Sequence, residues 1–250
     1  MVALRRLRGA ANRRGGDIMK RWFFALGLVI ALAGAMAPVS AQVPGPGLDR
    51  GSVDIGIGVR FFDRDLRSDN VEGIWSPGFH LTFAFIRYGA RDWLTLSAEV
   101  AAANSHALEQ LLNENNGNGR YLLLGLGAQV DVVRAERWAI GGGVHATRSG
   151  FLSREASRCN EDDAEWLVAI HGRRELRWGS HRINVWGGPA WSAFHLDVFG
   201  GSCSGEWESV DNWGAVAGVD ALWAGRVRTF VRAVYIEHVQ PRVGIALHLN

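Results

Sequence analysis

The sequence predicts an all-β protein: a closed antiparallel transmembrane β-barrel of ten strands, with short periplasmic turns and long external loops. Apolar residues alternate with small or polar ones in successive segments of about ten residues, as in barrels that cross a lipid bilayer. The connections between these segments alternate between long and short, and aromatic residues gather near both segment ends. Because side chains alternate across a strand, each segment has one apolar face, which is predicted to contact lipid.

The clearest alternation lies in a hairpin over residues 120–147, which turns at Arg134 and Ala135. One face of its two strands is apolar: Leu122, Leu124, Leu126, Ala128, Val130 and Val132, then Trp138, Ile140, Gly142, Val144 and Ala146. The other face is mainly small or polar: Tyr121, Leu123, Gly125, Gly127, Gln129 and Asp131, then Arg137, Ala139, Gly141, Gly143, His145 and Thr147. Glycine with isolated polar groups suits a narrow polar interior, so this second face is predicted to line the lumen.

Residues 1–41 are predicted to be a cleaved signal peptide, with translation beginning at Met1 or Met19. The positively charged Met19-Lys20-Arg21 precedes an apolar run from Trp22 to about Ala37, and small residues up to Ala41 end it. Cleavage is expected before Gln42. No later stretch approaches the roughly 18 uninterrupted apolar residues of a membrane helix. An exported chain of this kind is expected in the bacterial outer membrane.

Removal of the leader changes the charge balance. Residues 1–41 hold seven of the 27 basic and one of the 25 acidic residues, so the remainder has 20 basic and 24 acidic residues, a net charge of −4. This balance does not support a basic surface for nucleic acid.

The mature chain is predicted to have a flexible lead-in over residues 42–52 and a barrel domain over residues 53–250. The other eight strands are predicted at about 53–62, 78–88, 92–103, 165–178, 181–196, 213–223, 227–236 and 242–249. In the second of the ten strands, Phe79, Leu81, Phe83 and Phe85 lie opposite His80, Thr82 and Ala84. Pro189 indicates a bulge or local distortion in the seventh.

The connections support an even number of strands. Long connections at 63–77, 104–119, 149–164 and 197–212 alternate with short ones at 89–91, 134–136, 179–180 and 224–226, and a brief loop at 237–240 follows. With both termini in the periplasm, every long connection lies outside the cell. Eight strands is the alternative, but it demotes two well-alternating segments.

Aromatic residues indicate two interfacial girdles. Tyr88, Trp93, Trp138, Trp178 and Trp223 lie at the short-turn ends, whereas Trp166 and Trp213 lie near the long-loop ends with Phe61, Trp75 and Phe79. Girdles of this kind mark the two membrane–water interfaces of a barrel.

On this pattern, the chain from residue 42 onward resembles the small bacterial outer-membrane β-barrels, the general type that includes the OmpA barrel, OmpX and the ten-stranded omptins. The resemblance is one of pattern and carries no motif, so it implies a fold and a compartment but no activity. Such barrels usually end on an aromatic residue that the assembly machinery reads. This chain ends Leu247-His248-Leu249-Asn250, so the alternation is present and the aromatic residue is not.

Charged residues on the inner face are candidate functional residues. They are Asp54, Asp131, Arg173, Glu175, Arg177, Asp220, Arg228 and Arg232. Because isolated charges in a narrow lumen are costly, these residues are predicted to pair and to close the barrel. The alternative is a constricted, ion-selective pore. Arg174 falls on the lipid face and is expected to reach the periplasmic interface or to mark a bulge.

The long loops contain the two cysteines and many acidic residues. A disulfide between Cys159 and Cys203 is expected in an exported protein. The acidic residues are predicted to be solvated: Glu161, Asp162, Asp163, Glu165, Glu206, Glu208 and Asp211. A zinc site made of the two cysteines and His195 lacks a characteristic spacing, and no calcium-loop motif is present, so no metal site is predicted. No cofactor is predicted either.

The predicted role is structural or surface-facing, and no enzyme is predicted. Ser105-His106 and His145 with Ser149 have the composition of a catalytic pair but no recognised motif. A narrow channel and a lipid-modifying barrel enzyme are the alternatives. The expected partners are outer-membrane lipids, lipopolysaccharide and the barrel-assembly machinery; the protein is expected to be a monomer that binds no nucleic acid.

Overall fold

A computed structural model describes residues 45–68, 74–75, 78–104, 120–149, 160–200 and 203–250 of the protein, and these residues form thirteen strands. The strands are β1 Val53–Asp63, β2 Leu66–Arg67, β3 Ile74–Trp75, β4 Gly78–Arg91, β5 Leu94–Asn104, β6 Arg120–Arg134, β7 Trp138–Ser149, β8 Asn160–Trp178, β9 His181–Gly200, β10 Cys203–Ser209, β11 Trp213–Trp223, β12 Val227–Ile236 and β13 His238–Leu249. Among the described residues, no helix is long and apolar enough to cross a membrane.

Ten of these strands form a closed antiparallel ring. Val53 of β1 lies opposite Tyr88 of β4 on one side and opposite Leu249 of β13 on the other, so the first and last strands join. Within the ring, β9 pairs with β11. The loop-end part of β9 also pairs with β10, which pairs with β2, and β2 pairs with β3. Closure pairs every strand of the ring on both sides and leaves no free edge. The predicted fold class and the count of ten strands are confirmed.

The ring has two different ends. The turn end carries β-turns such as Gly179–Ser180 and Ala224–Arg226, together with the start of β1 and the end of β13. The loop end carries the long connections and the strands β2, β3 and β10. The turn end corresponds to the side predicted to be periplasmic.

The outer surface of the ring is apolar. Large exposed side chains follow the predicted alternation along its strands, and they include Ile55, Ile57, Ile86, Leu96, Leu124, Leu126, Ile140, Ile170, Val219, Val231, Ile245 and Leu247. Trp178 at the turn end and Trp213 at the loop end are 74% and 75% exposed, which places an aromatic side chain at each border. Arg174 is exposed near the turn end. A soluble protein would not display so continuous an apolar surface.

In β4 the prediction that the apolar face of a strand contacts lipid is wrong. Leu81, Phe83 and Phe85 point into the lumen, and Thr82 and Ala84 are on the exposed face. The neighbouring inner faces explain the reversal. A Cβ at Gly56 would lie 2.7 Å from the Phe85 ring, and one at Gly58 would overlap the Phe83 ring. The glycines of β1 therefore leave a space that the phenylalanines fill.

The strands near the loop end extend beyond the predicted boundaries. β8 begins at Asn160 and β9 ends at Gly200, so Glu161, Asp162 and Asp163 belong to a strand instead of a loop. Glu206 and Glu208 likewise lie in β10. The pairing of β8 with β9 keeps its register across Pro189. Ala169 pairs with Ala190 on one side of the proline and Gly172 pairs with Gly187 on the other, and the two pairs between them are missing.

Candidate functional site

The candidate site is the lumen, because most of the buried charge lies there. One group of charges forms a row across three adjacent strands: Arg60 of β1 lies opposite Arg242 of β13, which lies opposite Arg232 of β12. We call these three residues the arginine row. Their side chains are almost completely buried. Like charges opposite one another destabilise a sheet, so this row needs compensating charge.

A carboxylate compensates each member of the arginine row. Arg60 Nη2 lies 2.8 Å from Glu165 Oε2 of β8, and Arg242 donates to Glu99 of β5. Arg232 Nε donates to Asp220 Oδ1 of β11 at 3.2 Å. The first two pairs join strands that are not neighbours in the ring. They therefore span the lumen and tie opposite walls together.

Aromatic rings lie beside the arginine row. The Arg242 guanidinium carbon is 3.6 Å from the centre of the Phe83 ring, and that of Arg232 is 4.3 Å from the centre of the Phe230 ring. Phe85 and Phe230 pack edge to face with ring centres 5.6 Å apart. These cation–π and aromatic contacts fill the space between the ion pairs. The row, its carboxylates and these rings are buried together at this depth of the lumen.

A second group of charges lies nearer the turn end and centres on Asp54. Its carboxylate is 0% exposed, hydrogen bonds with His248 Nδ1 at 2.6 Å and accepts from Arg87 Nη1 at 3.4 Å. Arg228 Nε lies 2.8 Å from the same carboxylate as an ion pair. Two hydrogen bonds and a further ion pair compensate a buried charge that would otherwise be costly.

Asp131 and Arg173 form another pair near the turn end, with Arg173 Nη2 2.8 Å from Asp131 Oδ2.

The segment before β1 also lies in the lumen, although the sequence predicts a flexible lead-in there. Residues 45–49, which we call the luminal segment, run along the inner wall toward the turn end. Leu48 is 1% exposed, and its backbone N–H donates to Thr95 Oγ1 at 2.8 Å. Arg87 donates to the carbonyl oxygen of Pro46, and Gly47 lies against Asp131. These contacts carry no signal in the sequence, because the segment lacks alternation.

The luminal segment leaves the lumen at Asp49. Arg134 Nη2 donates to Asp49 Oδ1 at 2.6 Å, and Arg182 Nη1 lies 3.5 Å from Oδ2. Partial burial raises the pKa of the Asp49 carboxyl, but the two arginines lower it by more, so the pKa lies below its ordinary value. Gly51, with a φ of +83°, then reverses the chain into β1.

The structure places the eight predicted charged residues as follows. Asp54, Asp131, Asp220, Arg228 and Arg232 are buried in the lumen, and Arg173 is nearly so. Arg177 is half exposed at the turn end and pairs with Glu175 at 2.6 Å. Its position next to the Gly179 turn explains the exposure.

Sequence reasoning missed several luminal residues. Glu165 was predicted to lie in a solvated loop but is 1% exposed, because β8 begins earlier than expected and turns this side chain inward. Arg60, Arg87, Glu99 and Arg242 were not among the predicted charged residues either, although alternation places Glu99 on the inner face with Thr95. Strict alternation places Arg60 on the face of Asp54 and Arg242 on the face of His248, so part of this signal was present in the sequence.

Neither of the two pairs considered for catalysis, Ser105 with His106 and His145 with Ser149, is seen among the side chains that the structure describes. His145 is 2% exposed and lies in the lumen against Gly125 and Gly127. Ser105 and His106 lie outside the described residues, and so does Cys159, so the Cys159–Cys203 disulfide stays a prediction.

The described residues bring one set of metal-ligand types together, on the outer face of β9 and β10. His195 Nε2 lies 3.2 Å from Asp197 and 3.5 Å from Glu206, and His195 Nδ1 lies 3.5 Å from Glu208. The antiparallel register creates this cluster by placing His195 opposite Glu208 and Asp197 opposite Glu206. Imidazole and carboxylate suit zinc, but they pair equally well with one another.

No protein-family model matches the chain, and no curated protein matches it. Solved structures are similar over most of the chain. The attachment invasion locus protein Ail of Yersinia pestis is 12% identical with a TM-score of 0.33, over 80% of this chain and 99% of its own.

The translocator domain of the autotransporter NalP from Neisseria meningitidis is 12% identical with a TM-score of 0.40, over 92% and 97% of the two chains. The outer membrane protein OprG from Pseudomonas aeruginosa is 10% identical with a TM-score of 0.37, over 82% and 98%. At these scores the likenesses carry no argument about function, and the closed ladder alone establishes the barrel.

Proposed function

We propose that the protein is a closed outer-membrane barrel with a structural or surface-facing role, through envelope integrity, adhesion or ligand contact at its loop end. The single observation that supports this proposal is the burial of the arginine row and its carboxylates, each at most 8% exposed. Ions or solutes would have to break buried ion pairs such as Arg60–Glu165 to pass, and breaking a buried pair costs several kcal/mol.

The apolar outer surface supports the location. Its exposed aliphatic residues would contact lipid tails, and aromatic residues such as Trp178 and Trp213 would lie at the two interfaces. Outer-membrane lipids, including lipopolysaccharide on the outer leaflet, and the barrel-assembly machinery are the proposed partners. Export would use the signal peptide predicted over residues 1–41.

Planar-bilayer conductance tests the proposal. The chain from residue 42 onward would be refolded in detergent, and its folding checked by the difference in gel mobility between boiled and unboiled samples. We expect no discrete conductance steps from the folded barrel. Steps that change when Arg232 or Asp220 is neutralised would contradict the proposal and favour the narrow channel, the second candidate, which the charged lining of the lumen supports.

A lipid-modifying enzyme is the remaining alternative. Comparison of the lipid A from cells that express the protein with that from cells that do not tests it, and a changed acylation pattern would replace the structural role.

A further inference from the structure

We propose that the turn-end half of the lumen is a binding site for an extended peptide, and that the luminal segment, residues 45–49, is its tethered occupant. The segment docks into a barrel that is already complete without it. This inference goes beyond the proposed function, because the proposed closure by the arginine row does not depend on the segment.

The barrel does not need the segment for its strand pairing. Every β1 pairing begins at Val53, opposite Tyr88 and Leu249, so no residue of the luminal segment belongs to the ladder. The segment is instead held by individual contacts: Leu48 to Thr95, Pro46 to Arg87 and Asp49 to Arg134. Contacts of this kind can open as a local unit while the barrel stays folded.

The composition of the segment matches the wall that it contacts. The wall here is rich in donors, because arginines outnumber the carboxylates that they approach. Pro46 brings a carbonyl acceptor but no N–H, and Arg87 uses that acceptor. Gly45 and Gly47 let the backbone lie against Arg232 and Asp131; a Cβ at Gly47 would lie 2.9 Å from Asp131 Oδ2.

The barrel wall is also shaped for the segment. Gly89 of β4 lies directly under Asp49, and a Cβ at this position would overlap the Asp49 carbonyl oxygen and lie 3.2 Å from the Leu48 Cβ. Two hydrogen bonds fix the chain here, from Gly51 N to Gly89 O at 2.7 Å and from Gly89 N to Ser52 O at 2.9 Å. Gly89→Ala would therefore displace the segment without changing it.

A cysteine reporter in the full chain tests the docking. In a Cys159→Ser, Cys203→Ser background, Leu48→Cys places a thiol at the buried position, and its rate of reaction with a maleimide measures exposure. Docking predicts that Gly89→Ala increases the rate by at least about tenfold, as expected for loss of a locally protected state. Gly172→Ala is the matched control, because a Cβ there meets nothing within 4 Å.

Equal reactivity in the Gly89→Ala and Gly172→Ala backgrounds would overturn the proposal. The same variants separate this inference from the proposed function. A Gly89→Ala barrel that reacts but remains silent in a bilayer supports both. A Gly89→Ala barrel that reacts and conducts supports docking but contradicts closure by the arginine row.

A peptide supplied in trans tests the binding site itself. A barrel that lacks residues 42–50 keeps every ladder pairing, and its folding is checked by gel mobility. We expect saturable binding of a fluorescent peptide with the sequence of residues 42–52, and no binding to the full chain, whose site is occupied. A control peptide with Gly47→Val should bind at least about fivefold more weakly, because a larger side chain at this position would overpack against Asp131. Absence of binding to the folded deletion variant would overturn the proposal.

Discussion

The arginine row and the luminal segment fill the lumen in two different ways. The row is made of strand residues, and its pairs with Glu165, Glu99 and Asp220 cross-link the wall to itself. The segment is a separate piece of chain that a few hydrogen bonds and Leu48 hold against the wall. A substitution in the row should therefore weaken the whole barrel, whereas one at the segment should change only local docking.

The largest effect is expected when the row loses a carboxylate. Glu165→Gln removes the charge that compensates Arg60 and that also accepts a hydrogen bond from Ser192. Leaving a buried arginine without its charged partner should lower the free energy of unfolding by about 3–5 kcal/mol. Urea unfolding in detergent, followed by tryptophan fluorescence, measures the change.

Glu175→Gln is the matched control for that experiment. Glu175 pairs with the half-exposed Arg177 at the turn end, where solvent screens the pair, so the same change should cost far less than the change at Glu165. If the two variants lose equal stability, buried pairing is not what distinguishes the row.

The next largest effect is expected at the glycines under the phenylalanine rings. Gly58→Ala would force a Cβ against the Phe83 ring and toward the Val243 carbonyl, and overpacking of this kind costs about 1–3 kcal/mol. The unfolding midpoint in urea should fall, while Gly172→Ala should leave it unchanged within about 0.5 kcal/mol. An unchanged midpoint for Gly58→Ala would mean that Phe83 can move aside freely.

A smaller and local effect is expected at Thr95. Thr95→Val removes the hydroxyl that accepts the Leu48 N–H, and loss of this hydrogen bond should favour the undocked segment by about 1–3 kcal/mol. The Leu48→Cys reporter should react faster, while the urea midpoint of the barrel stays close to that of the parent. A matching loss of global stability would show that the segment and barrel unfold together.

The smallest effect is expected from acid. Because the pKa of Asp49 is lowered in the folded protein, its ion pairs stabilise docking above the ordinary value of 3.8 and lose that contribution as the pH falls through the lower folded value. The pair is half exposed, so the contribution is below about 1 kcal/mol. Hydrogen exchange at Leu48, corrected for the intrinsic rate at each pH, should accelerate below pH 3.8. Asp49→Asn should remove that dependence, and its persistence would point to another group.

Sequence reasoning recovered the barrel and part of the lumen. Alternation in β6 and β7 was regular enough to place Gln129 and Asp131 inside, since a period of two leaves only one choice once one face is assigned. It failed in β4, where both faces are apolar or small and only the neighbouring glycines decide which way Phe83 points. It failed for Glu165 because strand ends carry little local signal.

By itself, the sequence determined the number of strands in the barrel, the alternation of long and short connections between them, and the apolar outer surface. These features follow from local periodicity and connection length. Only the tertiary structure decided the pairing of charges. Arg60 and Glu165 are 105 residues apart, and ring closure alone brings them to 2.8 Å. The same holds for the luminal segment. Its proline and glycine residues show no pattern of their own, and the closed wall of donors around them gives them a bound conformation.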